Sequence, residues 1–513
     1  MTPPAQSGRG DGQEAVLAFL GDASRGDLKR VDTHASIVFL ERDRVLKIKR
    51  AVRLPYLDYS TLDKRKHACE EELAVNRRYA PALYTRVVPI TLGLHGLQID
   101  GDGPPVEWAV EMKRFDEQRT LDHLAAAGPI APGLAEALAA ELAGSHGTAM
   151  QSDGSAWLAA LSGIIDRNTE KFRTHLSLAD RDVERLHAAS LGRLGALFSL
   201  IRQRADAGLV RRCHGDAHLG NIVLIDDRPV LFDAIEFDPV IATTDILYDL
   251  AFPLMDLLHF GQGVAANRLF DRYLHATWHE NIRGLRLLPL YLSMRAAIRA
   301  LVLFTRHEQF PGDPADTTKA TSYFDLALRL IAPTPPSLIA VGGRSGTGKS
   351  VLARNLAATL DPPPGAVVLR SDVIRKELFG VDPLTALPEA AYAHDVTAHV
   401  YRTLAERGAA VLAQGFSVVL DAAFLRAAER EPLPSLAGAN GATFHGIFLD
   451  AALDLRLQRI ASRGSDASDA TRDVALLQEG LDIGRLEWPV VDASASPQET
   501  LARARDAPEE LAL

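Results

Sequence analysis

Residues 343–350 read Gly-Arg-Ser-Gly-Thr-Gly-Lys-Ser, and this stretch constrains the fold more tightly than any other in the chain. The spacing G-x-x-x-x-G-K-[ST] follows an apolar run, Leu338–Val341, and opens a helical one, Lys349–Leu360. In that strand–loop–helix context the glycines let successive backbone N–H groups turn inward around an anion, and the helix N-terminus adds positive potential. Gly343, Arg344, Ser345, Gly346, Thr347 and Gly348 would form the cradle. Lys349 would place a point charge on β- and γ-phosphates, and the Ser350 hydroxyl would ligate Mg2+. Apolar runs at Ala366–Leu369, Val418–Leu420 and Phe444–Leu449 alternate with helical segments, which predicts an α/β domain with a parallel, wound sheet. Upstream, Ala332–Ser337 (APTPPS) carries three prolines that interrupt helix and strand alike. Residues 332–337 are therefore read as a linker and 338–513 as the P-loop domain.

Arg370-Ser371-Asp372 lies just past the second of these strands, at the carboxyl edge where ligands bind in such sheets. A carboxylate there either takes the proton of an attacking hydroxyl or caps the helix Val373–Leu378. Arg370 and Arg375 either hold an anionic substrate or face solvent. Asp421, after the run SVVL, reads as a carboxylate on the metal side, with a strand-end turn residue as the alternative. Arg456, Arg459 and Arg463 are spaced i,i+3 and i,i+4, so one helical face can present all three to a transferring phosphoryl group or to solvent. Through GRSGTGKS, RSDVIRKELFG, VVLDAAF and LRLQRIASRGSDASDA, residues 337–500 resemble small P-loop kinases of the zeta-toxin, polynucleotide-kinase and gluconate-kinase type. The resemblance implies ATP as donor, Asp372 as catalytic base and lid arginines in the Arg456–Arg463 segment. It names no acceptor.

A second signal is His214-Gly215-Asp216-Ala217-His218-Leu219-Gly220-Asn221, followed by LFDAIEFD. The Asp216-to-Asn221 spacing equals that of the kinase catalytic loop H-R-D-x-x-x-x-N, in which Asp orients the hydroxyl and Asn holds Mg2+. Asp233, twelve residues after Asn221, is placed to be a second metal carboxylate, and hard Mg2+ prefers such oxygen ligands. Upstream, residues 31–49 predict two strands joined by a Glu41–Arg44 turn, and Thr61–Arg78 a charged helix ending before Pro81. Residues 131–205 and 244–331 read as helical, and residues 1–30 as a flexible tail.

With HGDAHLGNI and TDILYDLAF, residues 30–330 resemble the aminoglycoside phosphotransferase and choline-kinase branch of the protein-kinase-like fold. That resemblance implies an α+β domain over 31–331, a small β-rich lobe plus a helical lobe, with Asp216 as base and Asn221 and Asp233 on Mg2+. It also implies a phosphate-gripping lysine in VLKIK, Lys47 or Lys49, of which Lys47 is preferred, paired with Glu72 of the Glu70-Glu71-Glu72 run. Val110–Phe115 (VEMKRF) looks like the hinge beside adenine. One departure stands out: no G-x-G-x-x-G precedes VLKIK, and the equivalent position reads THASIVFLERD. The whole arrangement, LDYSTLDKRKHACEEELAVNRRYAPALY included, resembles a bacterial fusion of a phosphotransferase-family domain with a P-loop domain.

Composition narrows the function classes. The 513 residues are 47% hydrophobic and 24% charged, which excludes a fibrous or disordered chain. Two cysteines, Cys69 and Cys213, make neither a disulfide framework nor a paired-Cys zinc site. No run reaches the roughly 18–20 uninterrupted apolar residues of a membrane helix, Ala409–Leu425 being broken by Gln414, Ser417 and Asp421. A cytoplasmic protein is expected. The net charge of −10, and −6 over 337–513, disfavours a nucleic-acid partner, including a polynucleotide 5′-hydroxyl acceptor. The expected function is a two-site, ATP- and Mg2+-dependent phosphotransferase acting on hydroxyls of small molecules. The alternative makes the first half a sensing module that regulates the second.

Overall fold

The computed structural model describes residues 11–22, 28–33, 35–54, 57–175, 177–309, 314–462, 464 and 466–507. They form two compact units. The first runs through Pro129 and adds Gly144–Ala160 and Arg202–Pro253; the second comprises Ile130–Ala143, Leu161–Ile201 and the chain from Leu254 onward.

The first unit is built on a curled antiparallel sheet. Its strands are β1 (Lys29–Asp32), β2 (Ser36–Leu40), β3 (Arg44–Lys49), β4 (Tyr84–Gly93), β5 (Gly96–Ile99) and β6 (Pro105–Lys113), in the order β1-β2-β3-β6-β4-β5. Period-2 alternation sends Ile37, Phe39, Leu46, Ile48, Val88, Ile90 and Ala109 into one core. Residues 11–20, expected to belong to a flexible tail, are instead helix α1 (Asp11–Leu20). Val16 and Leu20, one turn apart, are fully buried in that core, which is what orders the segment. Helix α2 (Leu62–Asn76) starts where expected: Thr61 caps it by accepting from Lys64 N at 3.3 Å. Its buried face is Arg65, Ala68, Cys69, Glu72 and Asn76, mostly polar. A short hairpin, β7 (Ile222–Ile225) and β8 (Arg228–Leu231), carries the chain from the His214–Asn221 loop to Asp233.

The second unit contains helices α3 (Gly263–Ala276), α4 (Leu288–Gln309) and α5 (Pro314–Ile331), and a five-stranded parallel sheet. The sheet is β9 (Ser337–Gly343), β10 (Val367–Arg370), β11 (Val418–Asp421), β12 (Thr443–Asp450) and β13 (Val490–Asp492), ordered β10-β11-β9-β12-β13. Four strands coincide with the expected runs. The fifth, Val490–Asp492, is three residues long, too short to leave a pattern. Ile339, Val341, Val368, Val419, Ile447 and Leu449 form the core between this sheet and α6 (Lys349–Ala357). Both expected architectures hold: an α+β kinase-like domain first, then an α/β P-loop domain.

One helical stretch among the described residues, Trp278–Glu308, is long and apolar enough to cross a membrane; 78% of its most apolar window is buried inside the protein.

Candidate active sites

In the first unit a cavity of about 510 Å3 is lined by β1–β3, Met112–Phe115, Asp216 and Asp233–Phe237. Lys47 and Lys49 are two apart on β3 and share a face, so both reach α2. Glu72 takes one on each carboxylate oxygen: Lys47 Nζ stands 2.8 Å from Oε1 and Lys49 Nζ 2.7 Å from Oε2. Lys47 continues to Asp233 Oδ1 at 2.5 Å, and Lys49 pairs with Glu236. Burial alone would lower the Lys47 ammonium, but Asp233 and Glu72 overcome it and hold it well above its usual range. Burial likewise pushes Glu72 and Asp233 up, and the lysines outweigh it and keep both carboxyls below their ordinary values. Lys47 has the more open side chain, 12% exposed against 2% for Lys49.

Asp233 sits at φ +59°, with its N–H donating to Tyr84 Oη at 3.1 Å. Asn76 fixes the next residue, accepting from Ala234 N at 2.7 Å. Asn221 Nδ2 donates to Asp216 O and Oδ2 at 3.0 and 3.1 Å, which ties the two loop residues together. Beneath the loop, Asp249 Oδ1 accepts from Gly215 N at 2.8 Å, and His146 Nε2 lies 3.2 Å from its other oxygen. Thr33, Ala35 and Ser36 line the cavity in place of a glycine-rich turn: Ser36 N donates to Thr33 Oγ1, and Thr33 N to Ser36 O, both at 2.9 Å.

In the second unit a cavity of about 680 Å3 opens on Ser345–Leu352. Gly343 and Gly346, at φ +137° and +85°, pack too closely for a side chain: a Cβ would stand 2.5 Å from Leu449 O and 2.7 Å from Arg456 O. Gly348, at φ +95°, starts α6 with no side-chain cap, leaving its N-terminus to the cavity. Thr347 folds inward to Arg344 O at 2.8 Å, and Lys349 Nζ donates to the same carbonyl at 3.1 Å. Ser350 lines the cavity beside it. Burial lowers Lys349, with Asp421 and Asp372 opposing.

Asp372 is the second residue of α7 (Ser371–Leu378), whose cap position is Arg370, so it is not the helix cap. It faces the cavity, and burial followed by Asp421 raises its carboxyl against Arg370 and Lys349. Arg370 is not solvent-facing: it makes a two-pronged pair with Asp466 at 2.9 and 3.0 Å and reaches Asp421 at 3.2 Å. Arg375 is also buried, donating to Ala391 O and lying 4.7 Å over the Tyr392 ring. Helix α8 (Leu453–Ser462) does not present an open arginine face. Arg456 is buried against the loop, donating to Ser345 O at 3.2 Å and pairing with Glu479, while Arg459 contacts Thr347 O and lines the cavity. Arg463 lies outside the described residues.

Several participants escape sequence reasoning. Glu236 is visible in LFDAIEFD but matches no kinase spacing, and Asp466 sits in an aperiodic acidic loop. Gln478, on α9 (Arg472–Glu479), accepts from Ser345 N at 2.7 Å through its side chain, and nothing local marks it.

Residues 37–287 match the family model described as the phosphotransferase enzyme family. Residues 338–480 match one described as an AAA domain. A protein of Mycobacterium tuberculosis strain H37Rv, bearing only the name uncharacterized protein, is 28% identical over 456 residues, 86% of this chain and 88% of its own. Among solved structures, a gluconokinase from Sinorhizobium meliloti is 21% identical, with 34% of this chain and 93% of its own covered and a TM-score of 0.25. A choline/ethanolamine kinase family protein from Mesorhizobium loti is 14% identical, with 62% and 98% covered and a TM-score of 0.36. The chain therefore matches the phosphotransferase enzyme family model over residues 37–287 and an AAA-domain model over residues 338–480.

Proposed function

We propose that this phosphotransferase has two nucleotide sites, each passing the γ-phosphoryl group of ATP to a hydroxyl of a small molecule in the cytoplasm. One observation carries the reading: the same set of groups surrounds two separate cavities. Each holds a lysine (Lys47, Lys349), a carboxylate able to take a hydroxyl proton (Asp216, Asp372) and further oxygen ligands (Asp233, with Asn221 bonded to Asp216 behind it, and Ser350 with Asp421). Those oxygens suit hard Mg2+, which would neutralise phosphate charge when bound. In this reading Asp216 or Asp372 accepts the acceptor's proton as its oxygen bonds to phosphorus and the β–γ bridge breaks. Lys47, held between Glu72 and Asp233, and Lys349, at an uncapped helix start, meet the phosphate charge.

The acidic balance favours a small acceptor over a nucleic acid. A second reading, in which the first site senses nucleotide and regulates the other, draws on the glycine-free Thr33–Ser36 turn. The test is acceptor-dependent ADP release, with product profiling, for wild type, Asp216→Ala and Lys349→Ala. Each substitution is expected to abolish a different product. No acceptor-dependent ADP from either site overturns the proposal, and loss confined to Lys349→Ala favours the sensing role.

A further inference from the structure

Strand β10 is an edge of the P-loop sheet, and an edge strand exposes a row of backbone donors and acceptors. Within this second unit, α3 lies along that edge. Three of its side chains, one turn apart at i, i+4 and i+8, meet backbone groups of the strand and of Ala366 just before it. Asn267 Nδ2 donates to Ala366 O at 2.9 Å, Val368 N donates to Asp271 Oδ1 at 2.9 Å, and His275 Nε2 lies 2.9 Å from Val368 O. A carbonyl only accepts, so His275 carries its proton on Nε2.

The approach is close because Gly365, at φ +114°, has no Cβ; one would stand 2.7 Å from Asn267 Nδ2. Around these bonds Phe270 meets Phe416 at 5.6 Å between ring centres, and Arg286 donates to Gln414 Oε1 at 3.1 Å. Asn267 is 1% exposed, so the contact is a packed one. Strand β10 ends at Arg370, and Asp372 follows two residues later.

We infer that α3 acts as a strand made of side chains on this edge, and that Asn267, Asp271 and His275 are positioning residues for the phosphate-loop site. They hold β10 in place, and β10 sets where Arg370 and Asp372 stand. A catalytic carboxylate misplaced by about 1 Å loses on the order of a hundredfold in rate, so a fixed edge matters to the chemistry. These three residues fall within the 37–287 family segment, yet they serve the site in 338–480. The catalytic part of this inference rests on the proposed role of Asp372; the clamp itself does not.

The test compares full-length wild type, Asp271→Ala and Asp271→Asn by hydrogen exchange at Val368 and by Lys349-dependent ADP release. Asp271→Ala is expected to speed exchange at Val368 about tenfold or more and to lower kcat several-fold with the KM for ATP unchanged. Asp271→Asn keeps the acceptor oxygen and is expected to restore both. A folded Asp271→Ala protein with undiminished protection at Val368, or with faster exchange and an intact kcat, overturns the inference. Should that variant fail to fold, His275→Ala, at a partly exposed position, carries the same two readouts. If wild type shows no Lys349-dependent turnover, the proposed function fails, while exchange at Val368 still decides whether α3 holds the strand.

Discussion

Glu72 holds a lysine on each carboxylate oxygen, and the two ammonium groups behave differently for a physical reason. Both line the cavity, but Lys47 is the more exposed, between Glu72 and Asp233, whereas Lys49 is buried against Glu236. Lys47→Met is therefore expected to cut Asp216-dependent turnover by about 10²–10³ and, because Glu72 keeps Lys49 and Asp233 is partly exposed, to cost less stability than loss of Lys49. Lys49→Met leaves Glu236 buried without its partner and is expected to cost about 3–5 kcal/mol in denaturant unfolding. Reversed outcomes would assign the phosphate to Lys49. In the other site, burial and then Asp421 raise the Asp372 carboxyl despite Arg370 and Lys349. A base works only when deprotonated, so turnover there should fall on acidification, with its midpoint above the ordinary aspartate value. Asp372→Asn should remove that acid limb from the pH profile and lower kcat by about 10²–10⁴.

Elements place these residues, and most were legible because they carry a strong period or motif. The run Leu338–Val341 followed by G-x-x-x-x-G-K-S admits little besides a strand, a phosphate loop and a helix, and β9 and α6 occupy that stretch. Helix α2 was legible as a charged helical stretch ending before Pro81, but its buried face of Arg65, Glu72 and Asn76 has no apolar period, so only the family resemblance selected Glu72. Helix α1 was missed because its apolar residues sit beside a Pro/Gly/Ser-rich start, and its order comes from packing on β6 and the core of the sheet, distant in sequence. Arg456 and Arg459 were grouped correctly on one helix, but spacing cannot tell a face turned to solvent from one pressed on the loop. That contact makes a prediction at the same scale. A methyl group at Gly346 would meet Arg456 O at 2.7 Å in a left-handed backbone, so loop and α8 must separate. Gly346→Ala is expected to weaken Mg·ATP binding at the P-loop site about tenfold or more by calorimetric titration. Binding at the Lys47 site should be unchanged.

At the scale of the whole molecule, acid sensitivity of folding has a local origin that can be isolated. His259 stacks on Tyr323 with ring centres 3.6 Å apart and planes 9° apart, and the Tyr323 hydroxyl donates to Asp256 at 2.6 Å. Burial holds the His259 imidazolium down at about 4, against roughly 6.5 in an unfolded chain. Between those values the unfolded chain binds the proton and the folded one does not, so acid shifts the balance toward unfolding. Stability from this group is complete above about pH 6.5 and drains away as pH falls toward 4. Carboxylates held low by partners, such as Asp466 beside Arg370, act in the same direction at lower pH, so wild type alone does not identify the source. His259→Phe keeps a ring against Tyr323 and removes the titration. Melting temperatures measured from pH 7.5 to 4.5 should therefore fall less steeply for His259→Phe than for wild type, the two curves separating below pH 6.5. Parallel curves would move the acid response to another group.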